Sequence, residues 1–237
     1  SDANIYNELT EWIADESRVT RNKLILEKIN TKAKTKIAGL DGIKKVLNVT
    51  LGQAFKPTSL IVTNDDGLNY LDTLKDSDGK YLLSASPADP MQMVLSAGAT
   101  KIPVRVIPNA DLENTNVYTI TSDTDVVAGK TYYTRTGSAG AYVYTVVETP
   151  AKASISTYYE VTAVQYPVII GDLKEGIKFY DRKKLNIITS NTAAAGDLNA
   201  FEEDLTLFRA IEREDVVVRD ADAFVNGYIE ISTVASA

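Results

Sequence analysis

Three short segments of this sequence carry residue types that could do chemistry. Gly129-Lys130-Thr131 matches the end of a phosphate-binding loop, in which backbone N–H groups and a Lys hold phosphate groups. Such a loop also needs a Gly five residues before Gly129, where Thr124 stands, and a helix after it, where Tyr132-Tyr133 favours a strand. We therefore predict an ordinary turn at this position.

The two other segments also lack part of what their chemistry needs. Ser77 and Lys80 have the spacing of a Ser-x-x-Lys nucleophile, but Gly79 predicts a turn instead of the shared helix face that this pair requires. Segments 64–67 and 76–79 resemble parts of calcium-binding loops, and neither is followed by a Glu at the twelfth position. Helix capping and turns explain both, and we predict neither a metal site nor a cofactor.

Composition narrows the function classes further. The 237 residues include no Cys and no His, which excludes disulfides, Cys/His zinc sites and nucleophiles activated by His. The net charge of −7 argues against a protein whose main task is to grip nucleic acid. No apolar run is long enough to span a membrane, and the first residues show no secretory signal. We predict that the chain is not an enzyme.

The first part of the chain predicts helices around one buried strand. Residues 4–34 contain no Gly and no Pro, and apolar residues recur every three or four positions, which indicates one long amphipathic helix with Trp12 packed inward. The sequence opens with Ser1 and the helical pattern begins at once, so we expect that upstream residues have been removed. A second helix follows with Asp41 as its N-cap, and Asn64 caps a third helix after a short strand at 59–63.

The remainder predicts mainly strands, so the fold class is α+β. Residues 102–108 read as a strand whose Pro residues place it near a sheet edge. Residues 117–164 are rich in Thr, Tyr, Ser, Gly and Val and predict an all-β insertion with a turn at 137–140. Further strands are expected at residues 166–172, 176–182, 185–189, 204–213 and 216–219, with a last strand ending at Ile231.

Two groups of residues resemble the major capsid proteins of tailed bacteriophages and prophages, the family with the HK97 fold. The first is the turn at 74–83, which is similar to the family's turn between its peripheral and axial domains. The second is the aromatic-x-Asp-Arg strand at 179–182, followed by an "RA-x-x-R-x-D … AFV" ending at 209–225. The residues that carry the resemblance are Leu74, Asp76, Gly79, Tyr81, Asp181, Arg182, Arg209, Arg213 and Phe224.

The resemblance implies an N-terminally truncated HK97-like capsid fold with a long spine helix and an added all-β insertion. It implies a peripheral (P) domain and an axial (A) domain. The implied division is a spine helix of the P domain at 1–35, more of the P domain at 36–93, the A domain at 94–195 with the insertion at 117–164, a return to the P domain at 196–220, and a C-terminal strand at 221–237.

The resemblance also implies a function and partners. It implies a structural subunit that assembles with itself into hexamers and pentamers of an icosahedral head around genomic DNA, with a scaffolding segment and a portal as further partners. No sequence-specific nucleic-acid contact and no membrane are implied. The location is the virion, and the bacterial host cytoplasm during assembly. Because the family's extended loop is missing from this chain, the truncated form could also stay monomeric.

Two other functions stay open at the level of sequence. An encapsulin-like bacterial compartment has the same fold around a cargo enzyme, and a docking pocket for a terminal peptide would favour it. A tail or adhesion module that binds carbohydrate is suggested by the tyrosine-rich residues 117–164, and glycan binding by that segment alone would favour it. A hydrolase ranks last, because the sequence places no pair of acidic residues for catalysis.

Overall fold

A computed structural model of the protein describes residues 2–87, 89, 91–196, 198–203 and 205–233. Helices make up most of the chain up to Asp72 and strands most of the remainder, which confirms the predicted α+β class. In chain order the elements are α1 (Asp2–Asn30), β1 (Thr35–Lys36), α2 (Gly39–Lys45), α3 (Gly52–Phe55), β2 (Leu60–Thr63), α4 (Asp65–Asp72), β3 (Leu83–Ala85), β4 (Met93–Ala97), β5 (Thr100–Val106), β6 (Thr115–Ile120), β7 (Tyr132–Thr136), β8 (Val143–Val147), β9 (Tyr159–Gly171), α5 (Leu173–Gly176), β10 (Ile177–Ser190), β11 (Ala194–Ala195), β12 (Leu198–Asn199), β13 (Leu207–Val218) and β14 (Phe224–Ser232).

The chain divides into two compact units, each built from separate segments. The first unit holds residues up to 34, 45–60 and 170–226, and the second holds 35–44, 61–169 and the residues from 227 onward. These bounds differ from the predicted domain bounds. Residues 61–93 join the second unit because β2 pairs with β5, and residues 170–195 join the first unit because β10 pairs with β13.

Helix α1 dominates the first unit and continues from Asp2 to Asn30 without a break. The prediction of one long helix is confirmed, and its length is about 44 Å at 1.5 Å per residue. The predicted packing role of Trp12 is wrong, because this side chain is 61% exposed. At about 100° per residue, Trp12 lies on the side of α1 away from Ser17 and Arg21, which contact β13.

The strands β10 and β13 pair as a long antiparallel ribbon, called the ribbon below. The pairing runs from Ile177 opposite Val218 to Ser190 opposite Leu207, with register shifts after Asp181 and after Lys183. The sequence predicted two separate strands in place of β10 and two in place of β13, and both predictions are wrong. On β10, irregular pairing absorbs extra residues without ending the strand. Residue 204, the first of one predicted strand, lies outside the described residues.

The second unit is built on a mixed sheet with the strand order β1-β14-β9-β2-β5-β4-β3. The predicted edge position of residues 102–108 is wrong, because β5 lies between β2 and β4. Pro103 fits this interior strand because the pairing with β2 begins one residue later, at Val104. Its missing N–H group therefore costs no hydrogen bond to β2.

The tyrosine-rich segment enters the sheet along β6 and leaves it along β9, and these two strands pair with each other. Between them, β7 and β8 form a hairpin whose predicted turn is present, with Ala141 N–H donating to Ser138 O at 2.9 Å. Tyr132, Ile155 and Tyr158 form a small buried cluster that Val126 and Val147 cover. The segment therefore has a small core of its own.

Neither α1 nor any other described helix combines the length and apolar character that crossing a membrane requires.

Candidate functional site

The turn that carries the first part of the resemblance is closed by one carboxylate. Asp76 Oδ1 accepts hydrogen bonds from the N–H groups of Asp78 and Lys80, each at 2.9 Å. Gly79 has a φ of +81°, a conformation that Gly adopts without strain. The Lys75 ammonium lies 4.5 Å from the centre of the exposed Tyr81 ring. Asp76 and Gly79 thus shape the backbone, and neither is placed for catalysis.

In the segment that resembles a phosphate-binding loop, the Lys side chain is already paired with two carboxylates. Lys130 Nζ lies 2.8 Å from Asp123 Oδ2 and 3.0 Å from Glu160 Oε2. These hydrogen bonds raise the pKa of Lys130, and the same contact lowers the pKa of Asp123. The strand β7, not a helix, follows Lys130, as the sequence predicted. We call Asp123, Lys130 and Glu160 the ion cluster.

The segment beginning at Asn64 connects the start of α4, through hydrogen bonds, to the loop at residues 109–114. Asn64 caps α4 as predicted, since its Oδ1 accepts from Gly67 N–H at 2.9 Å. Its Nδ2 donates to Leu112 O at 2.9 Å and to Asn114 Oδ1 at 2.7 Å. Asp66 Oδ2 accepts from Asn109 and Asn114. No local pattern in the sequence predicts the pairing of these residues. Across the described residues, the acidic side chains form no cluster that could hold a metal ion.

The side of the ribbon that faces α1 is acidic, and Arg21 of α1 binds two of its carboxylates. Arg21 donates to Glu212 and Glu214, and Ser17 Oγ donates to Glu212 Oε2 at 2.5 Å. The Arg21 guanidinium lies 5.9 Å from the centre of the Phe179 ring. Two carboxylates with little exposure therefore share one Arg, which fixes the position of α1 on the ribbon.

The opposite side of the ribbon, called the outer face, is basic and apolar. Because side chains alternate along a strand, Arg209 and Arg213 point away from Glu212 and Glu214. Cross-strand partners share a face, so Ile188, which lies opposite Arg209, belongs to it as well. Ile188 is 48% exposed. The outer face consists of Lys178, Tyr180, Lys183, Asn186, Ile188, Arg209, Ile211, Arg213, Asp215 and Val217.

The other residues of the second group lie elsewhere in the first unit. Asp181 pairs with Glu214 and shares its face of the ribbon, and Arg182 lies at the register shift. Phe224 is buried, and the ammonium of Lys32 lies 5.1 Å from the centre of its ring. Leu74, Asp76, Gly79 and Tyr81 belong to the second unit. The structure therefore brings Arg209 and Arg213 onto one surface and keeps Asp181 off it.

Between the two strands of the ribbon, the chain folds into a small ordered tip. Ala200 is buried, its N–H donates to Ala193 O at 3.0 Å, and Leu205 N–H donates to Ala200 O at 2.9 Å. Phe201, next to Ala200, is nevertheless 77% exposed, and Glu202 and Glu203 beside it are exposed as well. Nothing in the local sequence indicates that an aromatic residue is left uncovered here.

A second-unit cleft of about 500 Å³ lies beside β9, at the start of β7. Its lining includes Lys130, Tyr133, Glu160 and Thr233. Lys130 and Glu160 are bound to each other there, so the two charged groups that line the cleft are already paired.

Comparisons with known proteins point to one family. The model of the phage capsid family matches residues 128–228, a range that begins inside the tyrosine-rich segment and contains the ribbon. This match confirms the predicted relationship to phage capsid proteins. The first group of motif residues lies outside the matched range, so the role given to the turn at 74–83 stays a prediction.

Two solved structures are similar to the chain. The capsid of an empty GTA particle computed with C5 symmetry has 16% sequence identity and a TM-score of 0.43, with 86% of this chain and 49% of that chain covered. The capsid of a native GTA particle computed with C5 symmetry has 16% identity and a TM-score of 0.41, with 85% and 48% covered. The chain thus spans about half the length of these proteins. A search of curated proteins finds no match.

Proposed function

We propose that this chain is part of the major capsid protein of a tailed bacteriophage or prophage, and that its role is mechanical. The observation that carries the proposal is the phage capsid family match over residues 128–228. That range holds the ribbon and β9, which belong to different units of the fold. A subunit of this kind associates through its surfaces and needs no catalytic group. The paired state of Lys130 fits that role.

We also propose an assignment of the two units to the domains of the family. The first unit, with α1 and the ribbon, corresponds to the peripheral domain with its spine helix. The second unit, with the mixed sheet and the tyrosine-rich segment, corresponds to the axial domain with its insertion. On this assignment the segment 61–93 belongs to the axial domain and the segment 170–195 to the peripheral domain.

The proposed partners are further copies of the same chain, arranged as hexamers and pentamers of an icosahedral head around genomic DNA. A scaffolding segment and a portal complete the assembly, and the place of action is the virion, after assembly in the bacterial cytoplasm. We propose no sequence-specific contact with DNA, and contacts with its phosphates would be weak because the chain has a net charge of −7.

Electron microscopy of the longer gene product that contains this chain tests the proposal. Expressed alone in bacteria, it is expected to form closed shells of some tens of nanometres that carry no dedicated protein cargo. Shells that retain one host enzyme through a terminal peptide would point to a bacterial compartment instead. Discrete small particles that bind to a glycan array would point to an adhesion module. Either result overturns the proposal.

A further inference from the structure

We propose that the tip of the ribbon binds the outer face of the ribbon on a second copy of this chain. The binding group on the tip, called the knob, consists of Phe201, Glu202, Glu203 and Leu205. Its partner is the part of the outer face formed by Ile188, Arg209, Ile211 and Arg213. This inference deepens the proposed function and rests on it only in assuming that copies of the chain associate.

The knob is ordered before it binds anything. Phe201 N–H donates to Asn199 Oδ1 at 3.2 Å, and Glu203 N–H donates to Asn199 O at 3.1 Å. Leu205 N–H donates to Ala200 O, which closes the turn behind Phe201. The ring of Phe201 is 77% exposed on a backbone that these hydrogen bonds already hold, so binding orders the side chain but little of the backbone. Exposed aromatic residues of this kind provide much of the binding energy at protein interfaces.

The receiving surface carries two guanidinium groups on one strand. Within the described part of the chain, Arg209 and Arg213 take part in no ion pair, whereas Glu212 between them is bound by Arg21. Arg209, Ile211 and Arg213 alternate with that inward residue along β13, and Ile188 lies opposite Arg209. The result is a strip in which Ile211 lies between two guanidinium groups on β13, with Ile188 beside Arg209 and Asn186 beside Ile211 on β10.

The knob and the strip are complementary in both charge and polarity. The knob offers an aromatic ring next to two carboxylates, and the strip offers Ile211 between two Arg, with Ile188 opposite Arg209. Arg binds carboxylates through two parallel hydrogen bonds, so each pair would also fix the orientation of the contact. A nucleic-acid backbone would engage Arg209 and Arg213 but would leave Ile188 and Phe201 without a role. A second copy of the chain uses all of these groups.

Charge-swapped variants test the pairing directly. The face variant is Arg209→Glu with Arg213→Glu, and the knob variant is Glu202→Lys with Glu203→Lys. Sedimentation velocity at low salt is expected to show at least tenfold weaker self-association for each variant alone. An equimolar mixture of the two, and one chain with all four substitutions, are expected to associate as the natural chain does. The double variant Lys23→Glu with Lys101→Glu, at exposed positions outside both surfaces, is the control.

A photo-crosslinking amino acid in place of Phe201 provides a second measurement. Crosslinks from this position are expected to reach peptides that contain Ile188 or Ile211 of another copy. Crosslinks to other segments, or a mixture that fails to restore association, would overturn the proposal. A natural chain that stays monomeric at all concentrations would also overturn it. So would a face variant that loses binding to a duplex DNA probe but associates normally.

Shell formation and sedimentation together distinguish a failure of the knob contact from a failure of the proposed capsid role. If the longer gene product forms shells and its face variant forms them equally well, the knob contact is refuted while the capsid role stands. If the longer product forms no shells, the capsid role is refuted, and sedimentation of the charge-swapped mixture still decides whether the knob binds the strip.

Discussion

Gly171 is a residue at which the fold leaves no room for a side chain. Its φ is +149°, and an added Cβ would lie 2.3 Å from Ala223 O and 2.5 Å from Phe224 Cα. Both are backbone atoms, so no side chain can move aside to make room. We expect Gly171→Ala to lower the free energy of unfolding by about 3 kcal/mol, measured by urea denaturation at neutral pH.

Gly52→Ala is the matched control for this steric argument. Gly52 also has a positive φ, +64°, but no heavy atom lies within 4 Å of an added Cβ. The substitution therefore costs only the backbone strain of a left-handed conformation, about 1 kcal/mol. Equal losses of stability in the two variants would show that the contact with Ala223 and Phe224 is unimportant.

The Asp76 side chain stabilises the turn that precedes β3 by accepting two backbone hydrogen bonds. Asp76→Ala removes the acceptor for the N–H groups of Asp78 and Lys80, and we expect a loss of about 1 kcal/mol in the free energy of unfolding. Asp76→Asn keeps an oxygen at the same place and should cost less than about 0.5 kcal/mol. Thermal unfolding followed by circular dichroism compares the two, with Asp78→Ala as the control. A larger loss for the Asn variant would refute this account.

Among the elements, α1 and the ribbon are held together by Arg21. Arg21→Ala leaves Glu212 and Glu214 without their cation on a surface with little exposure, so we expect a loss of about 2 kcal/mol. Arg18→Ala removes an ion pair with Asp15 that lies in solvent and should change stability by less than about 0.5 kcal/mol. Urea denaturation of both variants checks the difference, and similar midpoints would contradict it.

The ion cluster makes the tyrosine-rich segment sensitive to acid. Hydrogen bonds from Lys130 and from the Tyr132 hydroxyl lower the pKa of Asp123 in the folded state. A carboxyl group of this kind stabilises the fold above its ordinary pKa, and the contribution is lost as the pH falls through the folded value. We therefore expect the stability of this segment to fall between about pH 5 and pH 2. Near-ultraviolet circular dichroism of the tyrosines during heating measures it.

Lys130→Met is the test variant for this pH dependence, and Lys80→Met in an exposed turn is its control. Without the Lys130 ammonium the pKa of Asp123 rises towards its ordinary value, so the transition temperature should vary less over the acidic range. The Lys80 variant should keep the natural slope. An unchanged slope for Lys130→Met would show that other carboxyl groups control the acid response.

Local signals in the sequence predicted the elements whose causes are local. The spacing of apolar residues predicted α1, and the Asn64 side chain predicted the start of α4. The continuity of β10 through its register shifts was missed, because it depends on pairing with β13, which is distant in the sequence. The resemblance to the capsid family singled out Arg209 and Arg213. Their common face and the exposure of Phe201 follow only from the fold.

At the scale of the whole molecule, the tyrosine-rich segment should be removable. Tyr118 and Val161 are cross-strand partners, so replacing residues 119–160 with Asn-Gly closes β6 onto β9 through a two-residue hairpin. The excision takes the whole cluster of Tyr132, Ile155 and Tyr158 with it. It also removes the ring that stacks on Tyr118 at 3.8 Å, so Tyr118→Thr should accompany it.

The shortened chain is expected to unfold in one cooperative transition and to keep the circular dichroism of the remaining strands. The reason is that the strand order from β14 to β3 does not include β7 or β8. The longer gene product with the same excision should still form shells. Replacing only residues 137–142 with Asn-Gly, between the partners Thr136 and Val143, is the control. An insoluble or unfolded shortened chain beside a folded control would show that the segment is integral to its unit. Its small core would then be an extension of the main one.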